Sequence, residues 1–204
     1  MNKTELEAEI AATLNRRNLA ERIPRFIEFA EAEFNRELRV REGQLSKFTT
    51  LYAEDYRVQL PLDWLATEEI AVDGCDGPLD YLAPEPLRAD RANRERGQPR
   101  YYSVLVDEIH FSPLSDAERS VRLTYYARLN LSDAQPTNWL LTHHPDIYIY
   151  GALVLSAPLL YQDERVPMWQ SIYAPKFDAL KTNDRIAKAG SQSKPLRMRA
   201  RNLG

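Results

Sequence analysis

Residues 138–161 read NWLLTHHPDIYIYGALVLSAPLLY, the longest apolar run in a chain that is polar elsewhere. From Ile147 to Leu155 no charged side chain interrupts it. A helix that is apolar on every side has to be buried on every side. Between Pro145 and Pro158 the run offers about 14 residues, short of the roughly 20 needed to cross a bilayer, so the pattern predicts a central core helix and no membrane span.

What precedes this run supplies helices to pack on it. Thr4, with Glu5 and Glu7 behind it, is a candidate N-cap, and Leu6, Ile10 and Leu14 follow at a spacing of four. After a break at residues 15–18, a second helix carries Leu19, Ile23, Phe26, Ile27, Ala30, Phe34 and Leu38 on one face. Glu21, Glu28, Glu31, Arg36 and Glu37 are predicted to lie largely off that face, and Pro24 falls early enough to be tolerated. Beyond the central run, Asp163 can cap a last long helix with Pro167 in its first turn. Val166, Trp169, Ile172, Tyr173, Phe177, Leu180 and Ala187 would form its buried side, Pro175 would kink it, and the pattern fails at Ala189-Gly190.

From about Gly43 the period changes from helical to alternating. Phe48, Thr50 and Tyr52 alternate, as do Tyr56, Val58 and Leu60, with Glu54-Asp55 as a turn and Pro61 ending the second strand. Ile70 and Val72 lead into Asp73-Gly74-Cys75-Asp76-Gly77-Pro78, a hairpin signal with Leu79 and Tyr81 returning on its far side. Residues 85–96 read as a short charged helix or arm. Three further strands are predicted at residues 100–106, 109–111 and 121–126, completing an antiparallel sheet with one wet face. His110 reads as an outward-facing polar position and Cys75 as an incidental turn residue.

The predicted class is therefore α+β: an antiparallel bundle of about four helices, an inserted antiparallel β-rich region and an extended basic C-terminal tail. The corresponding boundaries are 1–42 and 131–190 for the bundle, 43–130 for the insertion and 191–204 for the tail. The tail holds four basic residues, Lys194, Arg197, Arg199 and Arg201, and no acid. A segment of that composition has too little apolar area to order itself, and is either free or folds onto something else.

Charge and motif content narrow the function. Twenty-seven basic residues against thirty acidic ones leave a net charge of −3, unlike a protein that coats nucleic acid over its whole surface. The single Cys75 excludes an internal disulfide, and nothing near the N-terminus reads as a secretory signal, so synthesis in a reducing cytoplasm is expected. Three histidines and one cysteine are too few and too scattered for a paired zinc site, and seven spread glycines form no phosphate loop, so no metal or cofactor is predicted. His143-His144 with Asp146 is the nearest approach to a catalytic base and its orienting carboxylate. Adjacent helical residues point about 100° apart, and the plainer reading is a helix boundary at which Asp146 accepts backbone N–H groups. The pairs Tyr101-Tyr102 and Tyr125-Tyr126 would suit base stacking in a nucleic-acid-binding module that also used the basic tail, although strand tyrosines more often pack.

Taken in order, several stretches resemble the head-to-tail adaptor proteins of tailed bacteriophages, the head-completion or neck proteins. They are Ile23-Pro24-Arg25-Phe26-Ile27 through Phe34-Asn35-Arg36-Glu37-Leu38-Arg39, then Leu60-Pro61-Leu62-Asp63-Trp64-Leu65, Pro99-Arg100-Tyr101-Tyr102 and Leu123-Thr124-Tyr125-Tyr126-Ala127. The set closes with Thr137-Asn138-Trp139-Leu140-Leu141-Thr142-His143-His144-Pro145-Asp146 and Tyr148-Ile149-Tyr150-Gly151-Ala152-Leu153. The resemblance implies a virion structural protein without enzymatic activity: a helical bundle with a β-rich insertion, assembled as a dodecameric ring beneath the portal. Its implied partners are the portal, tail or nozzle proteins and further copies of itself, with double-stranded DNA only in passage. Under that resemblance Lys194, Leu196, Arg197, Met198, Arg199 and Arg201 are the candidate portal-binding residues.

Overall fold

The computed structural model describes residues 1–160 and 163–192. Its secondary structure is mixed α and β, with six α-helices and mostly antiparallel strands among the described residues. The chain divides into two compact units, Met1–Arg41 with Asn130–Gly204, and Glu42–Leu129.

In the first unit, α1 (Lys3–Leu14) starts at Asn2 and not at Thr4. The Asn2 side chain accepts the Glu5 N–H at 2.9 Å while the Glu5 carboxylate accepts the Asn2 N–H at 2.9 Å. Glu5 can complete this reciprocal box only with a cap three residues before it. Leu6, Ile10 and Leu14 are buried as their spacing predicts, and Asn15 ends the helix in the left-handed region at φ 49°. A 3-10 turn at Arg17–Arg22 carries buried Leu19 into α2 (Ile23–Glu37), with Pro24 in its first turn.

Glu31 departs from the predicted pattern: it is buried in α2, among the apolar residues and not apart from them. Its Oε1 accepts the Leu131 N–H at 2.8 Å and the Tyr148 O–H at 2.9 Å, and the Asn138 amide donates to the Tyr148 oxygen at 2.7 Å. Partners distant in sequence make the burial tolerable. Burial raises the Glu31 pKa against these hydrogen bonds, and burial together with the neighbouring Glu31 raises that of Tyr148.

The apolar run becomes α4 (Trp139–His143), capped by Asn138, and α5 (Pro145–Leu155). Helix α5 packs against α1, α2 and α6 (Val166–Gln192). Gly151 sits at the closest approach, since a Cβ there would stand 2.8 Å from the Phe34 ring and 3.2 Å from that of Tyr173. Burial is one-sided, however. Ile147, Tyr148, Ala152 and Leu153 are buried, whereas Ile149, Tyr150, Val154 and Leu155 are half-buried.

At the start of α6 the Asp163 carbonyl accepts the Val166 N–H at 3.1 Å and its carboxylate the Arg165 N–H at 3.1 Å. Trp169, Tyr173, Phe177 and Leu180 are buried, while Val166, Ile172 and Ala187 are only half-buried. Pro175 lies inside the helix, which runs to Gln192, past the expected stop at Ala189-Gly190.

The second unit holds two sheets instead of the single one expected. One has the order β1 (Gln44–Leu51), β7 (Arg119–Ala127), β3 (Trp64–Val72). The other has the order β2 (Arg57–Gln59), β6 (Glu108–Ser112), β5 (Tyr101–Leu105), β4 (Asp80–Tyr81). The hairpin at residues 73–78 accounts for part of the difference. Leu79 N–H reaches the Ile70 carbonyl at 2.8 Å and Ala71 bridges Pro78, but Pro78 has no N–H to extend a ladder. The returning chain leaves β3, and β4 pairs in parallel with β5 in the other sheet.

Leu51, Val58, Ile70, Val72, Leu79, Ile109, Phe111, Val121, Leu123 and Tyr125 form the common core of this unit. The charged stretch yields α3 (Pro84–Ala92), with Leu87 buried and the helix packed on β5 and β6.

Candidate interaction surfaces

Of the residues that looked chemically active, Asp146 is occupied structurally. Asp146 accepts the Ile147 N–H at 3.0 Å and pairs with Lys176. Partial burial would raise its pKa, but the Lys176 and backbone hydrogen bonds outweigh it and the pKa is lowered, so the carboxylate is a poor proton acceptor. The rings of His143 and His144 lie 6.4 Å apart, and no cluster of three metal-ligating side chains occurs among the described residues.

Tyr125 and Tyr126 are buried and cannot stack a base. The Tyr125 O–H donates to Asp63 at 3.0 Å, and Lys47 reaches the same carboxylate at 3.0 Å. Tyr101 and Tyr102 are half-buried, Tyr102 meeting the exposed Tyr81 edge-on at 5.7 Å.

His110 faces away from the core residues Ile109 and Phe111, as alternation requires, yet it is not a solvated position. Its side chain is 15% exposed, its Nε2 lies 2.9 Å from Glu108 Oε2, and the Tyr56 ring meets it edge-on at 5.3 Å. The Tyr56 ring and the Glu108 carboxylate supply cover that a three-residue alternation could not reveal. Cys75 donates to the Pro99 carbonyl at 3.3 Å, and burial raises its pKa, in keeping with a turn residue. Lys194, Leu196, Arg197, Met198, Arg199 and Arg201 lie outside the described residues.

Two surfaces invite partners. The first is a groove of about 290 Å³ bounded by α2, the end of α5 and the middle of α6. Val154, Leu155, Tyr173, Ala174 and Phe177 form its apolar floor, with Glu33, Glu37, Asp178 and Lys181 at its rim. Tyr173 and Phe177 stack at 5.2 Å, and Lys181 lies over the Phe177 ring at 4.7 Å. Lys181 contacts Glu37 at 3.5 Å and Asp178 at 3.4 Å, while Glu33 pairs with Arg36 at 2.7 Å. Burial, then Glu33, Asp178 and Glu37, raise the Tyr173 pKa. The helical pattern had put Glu37 on a solvated face. Only the pairing of α2 with α5 and α6 turns scattered acids into a rim.

The second surface is β1, an edge strand of eight residues with no register shift against β7. Leu45, Phe48 and nearby Tyr52 are exposed, Phe48 by 72%. The opposite edge, β3, has register shifts at Trp64/Ala66 and Thr67/Glu69 and carries Glu68 and Glu69. Bulges and charges protect an edge from pairing, and β1 lacks both except for Lys47.

A protein-family model described as SU10 adaptor protein matches residues 1–199. No curated protein matches the chain.

Proposed function

The chain belongs to the SU10 adaptor protein family, a phage head-to-tail adaptor type, and from that membership we propose a virion protein that forms a ring beneath the portal. The observation that carries this reading is the extent of the family match, which includes both units of the fold. In the proposed assembly about twelve copies extend the DNA channel and present a docking surface to tail or nozzle proteins. Helices α1, α2, α5 and α6 act as the four-helix body, residues 43–130 as the β-rich insertion, and the role is structural, without catalysis.

Several features support the reading. A closed ring needs lateral surface on every subunit, and both the half-exposed side of α5 and the unprotected β1 edge are available for it. A net charge of −3 suits a conduit, because a strongly basic lumen would hold DNA phosphates instead of letting them pass. Lys194, Leu196, Arg197, Met198, Arg199 and Arg201 form the proposed portal contact, with the cations pairing acidic portal surface. Synthesis takes place in the bacterial cytoplasm and the working location is the head–tail junction.

Native mass spectrometry of the purified protein, alone and with the portal protein of the same genome, tests the proposal. A ring in either sample supports it. A monomer indifferent to the portal that instead binds single-stranded DNA with a steep salt dependence would replace it with the nucleic-acid reading.

A further inference from the structure

Leu196, Met198 and Ala200 alternate with Arg197, Arg199 and Arg201. In an extended chain this period of two sends the apolar side chains to one side and the cations to the other. The α2–α5–α6 groove has the complementary chemistry, an apolar floor beneath a rim on which Glu33 is paired with Arg36 while Glu37 and Asp178 share the single Lys181. Lys181 over Phe177 already shows a cation resting on that floor. Its contacts with Glu37 and Asp178 are long, leaving both carboxylates open to an arginine fork.

We propose that this groove receives residues 194–201 of a second copy of the chain. Reach decides between a second copy and the same one for the first part of the segment, as far as Met198. From Gln192 back to Phe177 is fifteen helical residues, about 22 Å along the axis. Leu196 lies four residues beyond Gln192 and has at most about 14 Å of extended chain in which to return. A chain's own Leu196 therefore stops short of its own Phe177, even before the reversal of direction uses up length. The same segment arriving from another copy has no such limit.

The inference rests on the ring reading but not on the portal contact proposed above for the same residues, which it replaces in any copy whose segment is held in this way: the segment joins subunit to subunit. It also accounts for Val154 and Leu155 being only half-buried at the end of α5.

The test uses full-length chains carrying Cys75→Ser together with either Ala174→Cys or Met198→Cys, mixed and oxidised. The expected product is a disulfide-linked species of twice the mass, in excess over what either variant forms alone. Adding Glu37→Lys and Asp178→Lys to the Ala174→Cys chain should lower its yield about fivefold or more. Adding Arg197→Glu and Arg199→Glu to the other chain should then restore it.

A mixture yielding no more than the separate variants would overturn the proposal. So would a chain bearing both cysteines that closes on itself at single mass in preference to linking copies. Native mass spectrometry of the unsubstituted protein with its portal separates the two readings. A ring without the crosslink removes the groove contact alone, and the crosslink without any ring removes the adaptor reading while keeping the contact.

Discussion

Asp163→Asn is expected to destabilise the first unit in a way that depends on pH. The Asp163 side chain is 3% exposed, and it receives the Arg165 guanidinium at 2.9 and 2.8 Å with Arg16 at 3.4 Å. The same arginines reach the chain on either side: Arg165 donates to the Thr13 and Leu14 carbonyls, and Arg16 to that of Leu160. Chiefly through the Arg165 hydrogen bonds, and against desolvation, the carboxyl pKa falls from 3.8 to about 2. A depressed carboxyl pKa stabilises the fold fully above the unfolded value, and that contribution is lost as pH falls through the folded one. The shift corresponds to about 2 kcal/mol at pH 7, allowing for screening of the half-exposed arginines, with roughly half left near pH 3. Urea unfolding of both proteins from about pH 7 to about pH 3, followed by circular dichroism, measures the gap, and other carboxylates cancel in the difference. A gap that stays constant over this range would refute the argument, since a variant that only lost packing would track the parent at every pH.

Three further outcomes follow from the packing. Gly151→Ala places a Cβ 2.8 Å from the Phe34 ring, and should lower the urea midpoint by the equivalent of about 1 kcal/mol, overpacking outweighing the gain in helix propensity; a raised midpoint would mean that Phe34 yields freely. Tyr148→Phe removes the O–H that Glu31 accepts and the oxygen that Asn138 meets, costing about 1–2 kcal/mol, and a double-mutant cycle with Glu31→Gln should show coupling, whereas simple additivity would dissolve the network. Phe48→Lys, at a side chain 72% exposed, should leave stability within about 0.5 kcal/mol while weakening the proposed ring in native mass spectrometry; unchanged assembly would release the β1 edge from any role in it.

The helices were readable because each carries its own signal. Pro145 marked the start of α5, and the spacing of Leu6, Ile10 and Leu14 gave the buried stripe of α1. The charged stretch after Pro84 became α3 for the same local reasons. What escaped the sequence depends on contacts between distant residues. Glu31 looked like a solvated acid because its donors, Leu131 and Tyr148, lie about a hundred positions away. The division into two sheets follows from β1 pairing with β7 and from β4 crossing to β5, neither of which an alternating pattern specifies. The groove is of the same kind, since α2, α5 and α6 each contribute a part of it.

Helix α6 is fastened by two kinds of bond. As far as Leu180 it is anchored by buried aromatic and aliphatic side chains, whereas residues 181–189 bury none. Over that stretch it is tied down by charge: Asp184 accepts the Arg41 N–H at 2.8 Å, and Lys188 donates to the Arg39 carbonyl at 3.1 Å. Apolar anchoring is indifferent to ionic strength and these ties are not, so salt should release the outer turns before the inner ones. Amide exchange would show a step near Leu180 that sharpens as salt is added. The end of α6 is then adjustable by about 16 Å, the length of three helical turns, which would give the proposed ring a way to tolerate neighbours that do not stand at equal distances.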